Sequence, residues 1–212
     1  MRETVILPDD IQRRLNTWKA VGALALAAVY GWFALARDAQ VPILGFLDIA
    51  VHEVGHRLFS PFGHLVMLIM GSGFQVLFPF LAGVVFALWK RDPIAWGISW
   101  AWAASATADA ARYIYDAPRG ELMLLGAPGG LGDWSRILGP EHFDKLYLAD
   151  RLAADVRIAG VALWFVAVGI VIFALASNAV AVRRETNAGR EKPSAKPSGS
   201  LAPVADLDMW RR

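Results

Sequence analysis

The sequence predicts an all-α fold: a polytopic membrane helix bundle of four to five transmembrane helices, with an HExxH helix at membrane depth. Three observations carry this expectation. Of the 212 residues, 56% are hydrophobic and only 19% charged. Uncharged runs extend from Ala20 to Ala36, from Leu65 to Trp89 and from Ile158 to Val182, and about 17–25 apolar residues suffice to cross the hydrocarbon as a helix. Trp18, Trp32, Trp89 and Trp96 stand near run ends, as tryptophans do in the aromatic belts of membrane interfaces.

Taken in order, residues 1–19 carry both acids and bases and read as a surface helix, with Asp9 or Asp10 as N-cap in "LPDDIQRRLNTW". No small-residue cleavage site follows the first apolar run, so that run is expected to remain as an anchor. A membrane-embedded domain is expected over residues 20–182. Within it, "RDAQVP" forms a polar joint, and "GSGFQVLFPF", with its glycines and Pro79, is expected to bend or break its helix. "WKRDP" makes a short turn. A fourth run, Pro93 to Ala108, becomes long enough to span if its helix continues through Asp109 and Arg112 to Pro118. Residues 118–156 form the longest polar connection; its last part, "FDKLYLADRLAADVRIAG", reads as an amphipathic helix on the membrane surface. After the last run, residues 183–212 lack apolar periodicity and read as a disordered tail.

Charge sets the orientation. The net charge of +2 comes largely from the chain ends and suits placement in a bilayer rather than nucleic-acid binding. If residues 43–60 enter and return, there are four crossings. The N-terminus, Lys90/Arg91 and the tail then share the cytoplasmic side, as the positive-inside rule prefers. If they span fully, there are five. The expected location is the bacterial inner (cytoplasmic) membrane, with the tail cytoplasmic.

The chemistry concentrates in "DIAVHEVGHRLFSPFGH", residues 48–64. His52-Glu53-Val54-Gly55-His56 matches H-E-x-x-H. Residues four apart on a helix lie nearly one above the other, about 6 Å along the axis, so both imidazoles can reach one tetrahedral zinc ion. Glu53 projects beside that site, where a carboxylate can take a proton from activated water. Gly55 leaves one side of the helix bare for the close approach of a substrate backbone or another helix. With no cysteine in the chain, any metal must be held by His, Asp or Glu. The bland alternative is a solvated interface with Glu53 paired to Arg57. An ionisable residue inside an apolar segment is nevertheless a functional-site hypothesis by default.

Ile49 to His56, "IAVHEVGH", resembles the active-site helix of the site-2 protease family, intramembrane zinc metalloproteases that cleave membrane-bound substrates. "GSGFQVLFP", Gly71 to Pro79, is similar to that family's glycine-led stretch with a side-chain amide four residues later, here Gln75 in place of the usual Asn. The resemblance implies His52 and His56 as zinc ligands, Glu53 as general base and Gln75 as a substrate-orienting amide. The family's downstream Asn-Pro…Leu-Asp-Gly segment, whose Asp is the third ligand, is absent. The chain also resembles a group of small bacterial peptidase-like membrane proteins with "YIYDA"- and "GDW"-like elements. The similarity covers residues 45–140.

A catalytic zinc takes three protein ligands and keeps one open position. Asp116, beside Pro118 at the helix exit, is the first expectation for the third; Asp133 in "LGDWSRIL" is second and Asp109 third. Against these stand a neutral Asp109–Arg112–Asp116 cluster and a helix cap at Asp133. His64 and His142 read as solvated loop histidines. Ser72 and Ser105 lack a His/Asp partner signature, so a serine mechanism has no support. Two functions follow. One is a zinc endopeptidase acting on a membrane protein or peptide substrate in the bilayer; the other is a catalytically inactive relative serving as a binding or scaffold component.

Overall fold

The structure, a computed structural model, describes residues 9–122 and 131–191. Among the described residues six α-helices follow one another: α1 (Asp9–Tyr30), α2 (Leu44–Phe59), α3 (His64–Val85), α4 (Pro93–Asp116), α5 (Asp133–Leu138) and α6 (Ala149–Glu191). Among the described residues there is no strand. Three helical segments are long and apolar enough to cross a membrane: Arg14–Ala36, His64–Lys90 and Leu146–Arg184. Large apolar side chains on them, including Trp18, Trp32, Phe165 and Phe173, are more than half exposed, as suits a surface wrapped in hydrocarbon rather than water.

α4 is the centre of the bundle. Ala101, Ala103, Ala104 and Ala106 have no exposed surface, because small side chains let neighbouring helices approach closely. α6 runs antiparallel along it: a Cβ at Gly97 would lie 2.4 Å from Val171 Cγ2, and one at Gly160 would lie 3.3 Å from Thr107 Cβ. The hydroxyls of Ser105 and Thr107 donate to the carbonyls of Trp102 and Ala103, so these two buried hydroxyls are satisfied within the helix's own turns. Asp92 caps the helix by accepting from the Ile94 and Ala95 amides at 3.0 Å each. α4 is not among those three segments because it is rich in small rather than large apolar residues, as a helix enclosed by others needs.

α1 packs antiparallel to α6, with Trp164 Nε1 donating to the Ala27 carbonyl at 2.8 Å. At its far end Asp38 accepts from Arg157 at 2.6 Å, and its carbonyl accepts from Arg112. From there the chain turns inward. Val41 is buried against Ala34 and Ala108, and the first turns of α2 bury Asp48, to whose Oδ1 Trp102 Nε1 donates at 2.7 Å. α2 then climbs back, antiparallel to the first half of α3, and passes into it through Gly63 at φ 100°.

Four expectations need correction. α3 is continuous through "GSGFQVLFPF" with Pro79 inside it; the glycines serve close packing, not a break. The expected boundary at residue 19 falls within the unbroken α1, because the polar "RRLNTW" turn and the apolar run share one helical register. "FDKLYLADRLAADVRIAG" is the entry to α6 and not a separate surface helix. Finally, α6 extends past Val182 to Glu191; the remainder of the expected tail, residues 192–212, lies outside the described residues, as do residues 1–8.

Candidate metal centre

α2 carries His52 and His56 one turn apart on the face that meets α3. That contact requires Gly55, whose added Cβ would lie 2.1 Å from the Met70 carbonyl oxygen. It requires Gly71 as well, since a Cβ there would lie 2.5 Å from His56 Cε1 and 2.7 Å from His52 Nε2. The helix that Gly55 admits is therefore α3.

The third component arrives from far along the chain. α5 is only six residues long, yet Ile137 and Leu138 are buried in one cluster with Leu68, Ile114, Ala117, Ala149 and Ala153. Trp134 Nε1 donates to Ser72 Oγ at 3.1 Å, and Ser135 Oγ donates to the Ala117 carbonyl at 2.7 Å. Thus anchored, α5 presents its first residue, Asp133, to both histidines. Asp133 Oδ2 lies 3.0 Å from His52 Nε2 and 3.1 Å from His56 Nε2, and the two Nε2 atoms are 3.0 Å apart. The Asp133 amide donates to Tyr113 Oη at 2.8 Å.

Hydrogen bonding fixes what these atoms can do. His56 Nδ1 faces the Met67 carbonyl at 2.9 Å; a carbonyl only accepts, so Nδ1 carries the proton and the neutral ring offers a lone pair at Nε2. His52 Nδ1 faces Gln75 Oε1 at 3.3 Å with the same consequence. Three lone-pair atoms so close repel one another unless a positive charge sits among them. Ligands of one tetrahedral zinc, at about 2.0–2.1 Å from it, stand roughly 3.3–3.4 Å apart, close to the spacing found. His52, His56 and Asp133 could hold a metal ion, and each imidazole has the outer partner that orients metal-binding histidines. Burial alone would raise the Asp133 carboxyl, but in the metal-free site a proton on either Nε2 would be donated to Asp133, which outweighs the effect of burial and holds its carboxyl well below the usual carboxylate range.

The group opens onto a cavity of about 530 Å³ whose wall includes Glu53, Gln75, Asp109, Arg112 and Tyr113. Glu53 is exposed there. Among the described residues it makes no ion pair with Arg57. No family model, curated protein or solved structure matches this chain. Its chemistry must be read from its own side chains.

Asp116, the first expectation for the third ligand, is not part of the group. Its carboxylate accepts from the Glu121 and Leu122 amides at 2.8 and 3.1 Å and so closes the end of α4. The shared helical face of Asp109 and Asp116 was a sound inference; the reversal of the chain that turns Asp116 to its own loop leaves no trace in helical spacing. Asp109 is paired with Arg112 at 2.6 Å. Gln75, expected to orient substrate, lines the cavity and faces His52 Nδ1.

Sequence reasoning missed two contributors and one buried acid on the same helix. The Met67 carbonyl is invisible in a sequence. Tyr113 stands in "ARYIYDA", one turn after Asp109, and that spacing could have nominated it. Asp48 begins the quoted motif segment one turn before His52; it is almost fully buried, with Oδ2 lacking a partner among the described residues.

Proposed function

We propose that this chain is an integral-membrane zinc metalloprotease that hydrolyses peptide bonds of membrane-associated proteins. The observation that carries the reading is the convergence of His52 Nε2, His56 Nε2 and Asp133 Oδ2 beside the exposed Glu53. Zinc bound there supplies Lewis acidity toward water and toward a peptide carbonyl. His52, His56 and Asp133 hold its charge; the Met67 carbonyl and Gln75 keep both rings turned inward. Glu53 takes the proton of the attacking water and returns it to the departing amine, acting as base and then as acid. The cavity admits a few residues of extended chain, so a helical substrate must unwind locally before its peptide bond is reached.

In this reading α1, α3, α4 and α6 are four crossings and α2 is re-entrant, tolerated at membrane depth because protein and a polar cavity surround it. Lys19, Lys90, Arg91, Arg183 and Arg184 gather at one end of the bundle, which the positive-inside rule assigns to the cytoplasm. The cavity opens toward the opposite face. The inactive-scaffold alternative drew its strength from the absent third-ligand segment, and Asp133 provides that acid from another part of the chain.

The test uses the full chain in proteoliposomes with a panel of fluorogenic transmembrane-segment peptides. Zinc-dependent cleavage that disappears in Glu53→Gln, with zinc retained, supports the proposal. Equal cleavage by wild type and Glu53→Gln, or none by the zinc-loaded wild type, overturns it.

A further inference from the structure

Away from the cavity, a second group of ligating side chains meets at the start of α3. His64 Nδ1 lies 3.2 Å from His142 Nε2 and 3.3 Å from Glu141 Oε1, and the two rings stack with centroids 5.4 Å apart. The backbone holds them there. Gly63 at φ 100° turns the chain into α3 and delivers His64. On the other side, the Asp144 amide donates to the Gly139 carbonyl at 2.8 Å and the Lys145 amide to the Leu138 carbonyl at 2.6 Å, folding the "GPEHFDK" segment into a compact turn.

We infer that His64, Glu141 and His142 form a second site for a divalent transition-metal ion, separate from the His52–His56–Asp133 group. One ligand atom from each residue lies within 4.8 Å of the others. Two imidazoles with one carboxylate suit zinc, nickel or copper rather than magnesium or calcium, which prefer oxygen alone. Partial exposure of His64 and Glu141 leaves room for water to complete the coordination.

Arg136 sets the strength of this site. Its Nε donates to Glu141 Oε2 at 2.9 Å and its Nη2 to Oε1 at 3.2 Å. Each carboxylate oxygen has two lone pairs, so Oε1 keeps one for a cation. The guanidinium's own charge opposes a second positive ion beside the carboxylate it grips. The placement has a consequence: Glu141 and His142 directly follow α5, and Asp133 opens it. An ion here ties the trailing end of α5 to α3 and steadies the short helix that presents Asp133.

The experiment titrates zinc alone into the metal-stripped full chain in detergent and counts equivalents by calorimetry, with circular dichroism checking each variant. His52→Ala/His56→Ala retains one equivalent, which disappears when His64→Ala and His142→Ala are added. In the wild-type background the His64→Ala/His142→Ala pair alone lowers the count by one, whether or not the His52 group is catalytic. Arg136→Gln tightens the retained equivalent several-fold. An unchanged count after removal of His64 and His142, or no zinc bound by folded His52→Ala/His56→Ala, overturns the inference.

Discussion

His52 and Asp133 are 81 residues apart in the chain, and Nε2 of one lies 3.0 Å from Oδ2 of the other. This is the longest-range relationship in the candidate centre, and it distinguishes Asp133 from the two acids on α4. Asp133→Asn is expected to weaken metal binding by at least about 100-fold, while Asp116→Asn leaves it unchanged within about twofold. Competition against a chromophoric chelator measures both, and loss of metal in Asp116→Asn instead would return that residue to the ligand set.

Glu53 touches neither imidazole and stands on the cavity wall. Glu53→Gln is expected to keep metal content and thermal stability while lowering peptide hydrolysis by about 10²–10⁴-fold, the usual contribution of a positioned proton carrier. Metal content and single-turnover cleavage, read on the same preparation, separate the two effects.

Gly71 and Gly73 are two residues apart on α3 but face different neighbours. Gly71→Ala forces a Cβ to within 2.5 Å of His56 Cε1 and is expected to cost about 1–3 kcal/mol along with most of the metal affinity. Gly73→Ala meets only the flexible Met70 sulfur at 3.2 Å and is expected to be neutral, or to stabilise by up to about 1 kcal/mol through helix propensity. Thermal melts of the two variants with and without zinc decide the matter.

Protons compete with the metal for its ligands, and the sign follows from which ligand titrates first. The adjacent Asp133 carboxylate holds the His56 imidazole above its ordinary value of about 6.5, whereas the Asp133 carboxylate itself stays ionised to below the ordinary carboxylate value of about 4. Metal affinity should therefore fall as pH drops from about 7 to 5, with a slope of one to two protons. A loss confined to the region below about pH 4 would mean that the carboxylate, not the rings, controls binding.

The chain contains no cysteine, which makes single-cysteine labelling clean. Arg37→Cys and Ser60→Cys flank α2 and, under the four-crossing proposal, should react with an impermeant thiol reagent from the same face, with Lys90→Cys reacting from the other. Labelling of residues 37 and 60 from opposite faces would mean that α2 spans.

Much of the fold was legible because it follows from one-dimensional patterns. The charge-free runs from Ala20, Leu65 and Ile158 fall within the three long apolar helical segments, and Pro93 marks the start of α4. The paired histidines were legible because both sit on one helix, where a spacing of four fixes their separation. Asp133 could be named as a candidate but not chosen, since its approach depends on how Ile137, Leu138 and Trp134 pack against α3 and α4. The unbroken α3 was misread for a related reason: "GSG" looks like a hinge in isolation, yet Gly71 is required by the imidazoles of another helix. Residues that serve a neighbour rather than their own segment do not declare it in the local sequence.

The alanine-lined α4 acts as the keel of the molecule. It presents Tyr113 and Asp109 to the cavity and simultaneously spaces α1, α3 and α6. Any enlargement of its smooth flank would be transmitted as a displacement at the histidines. New specificity is thus more readily gained by altering the rim around Leu122 and Leu131 than by recutting the centre.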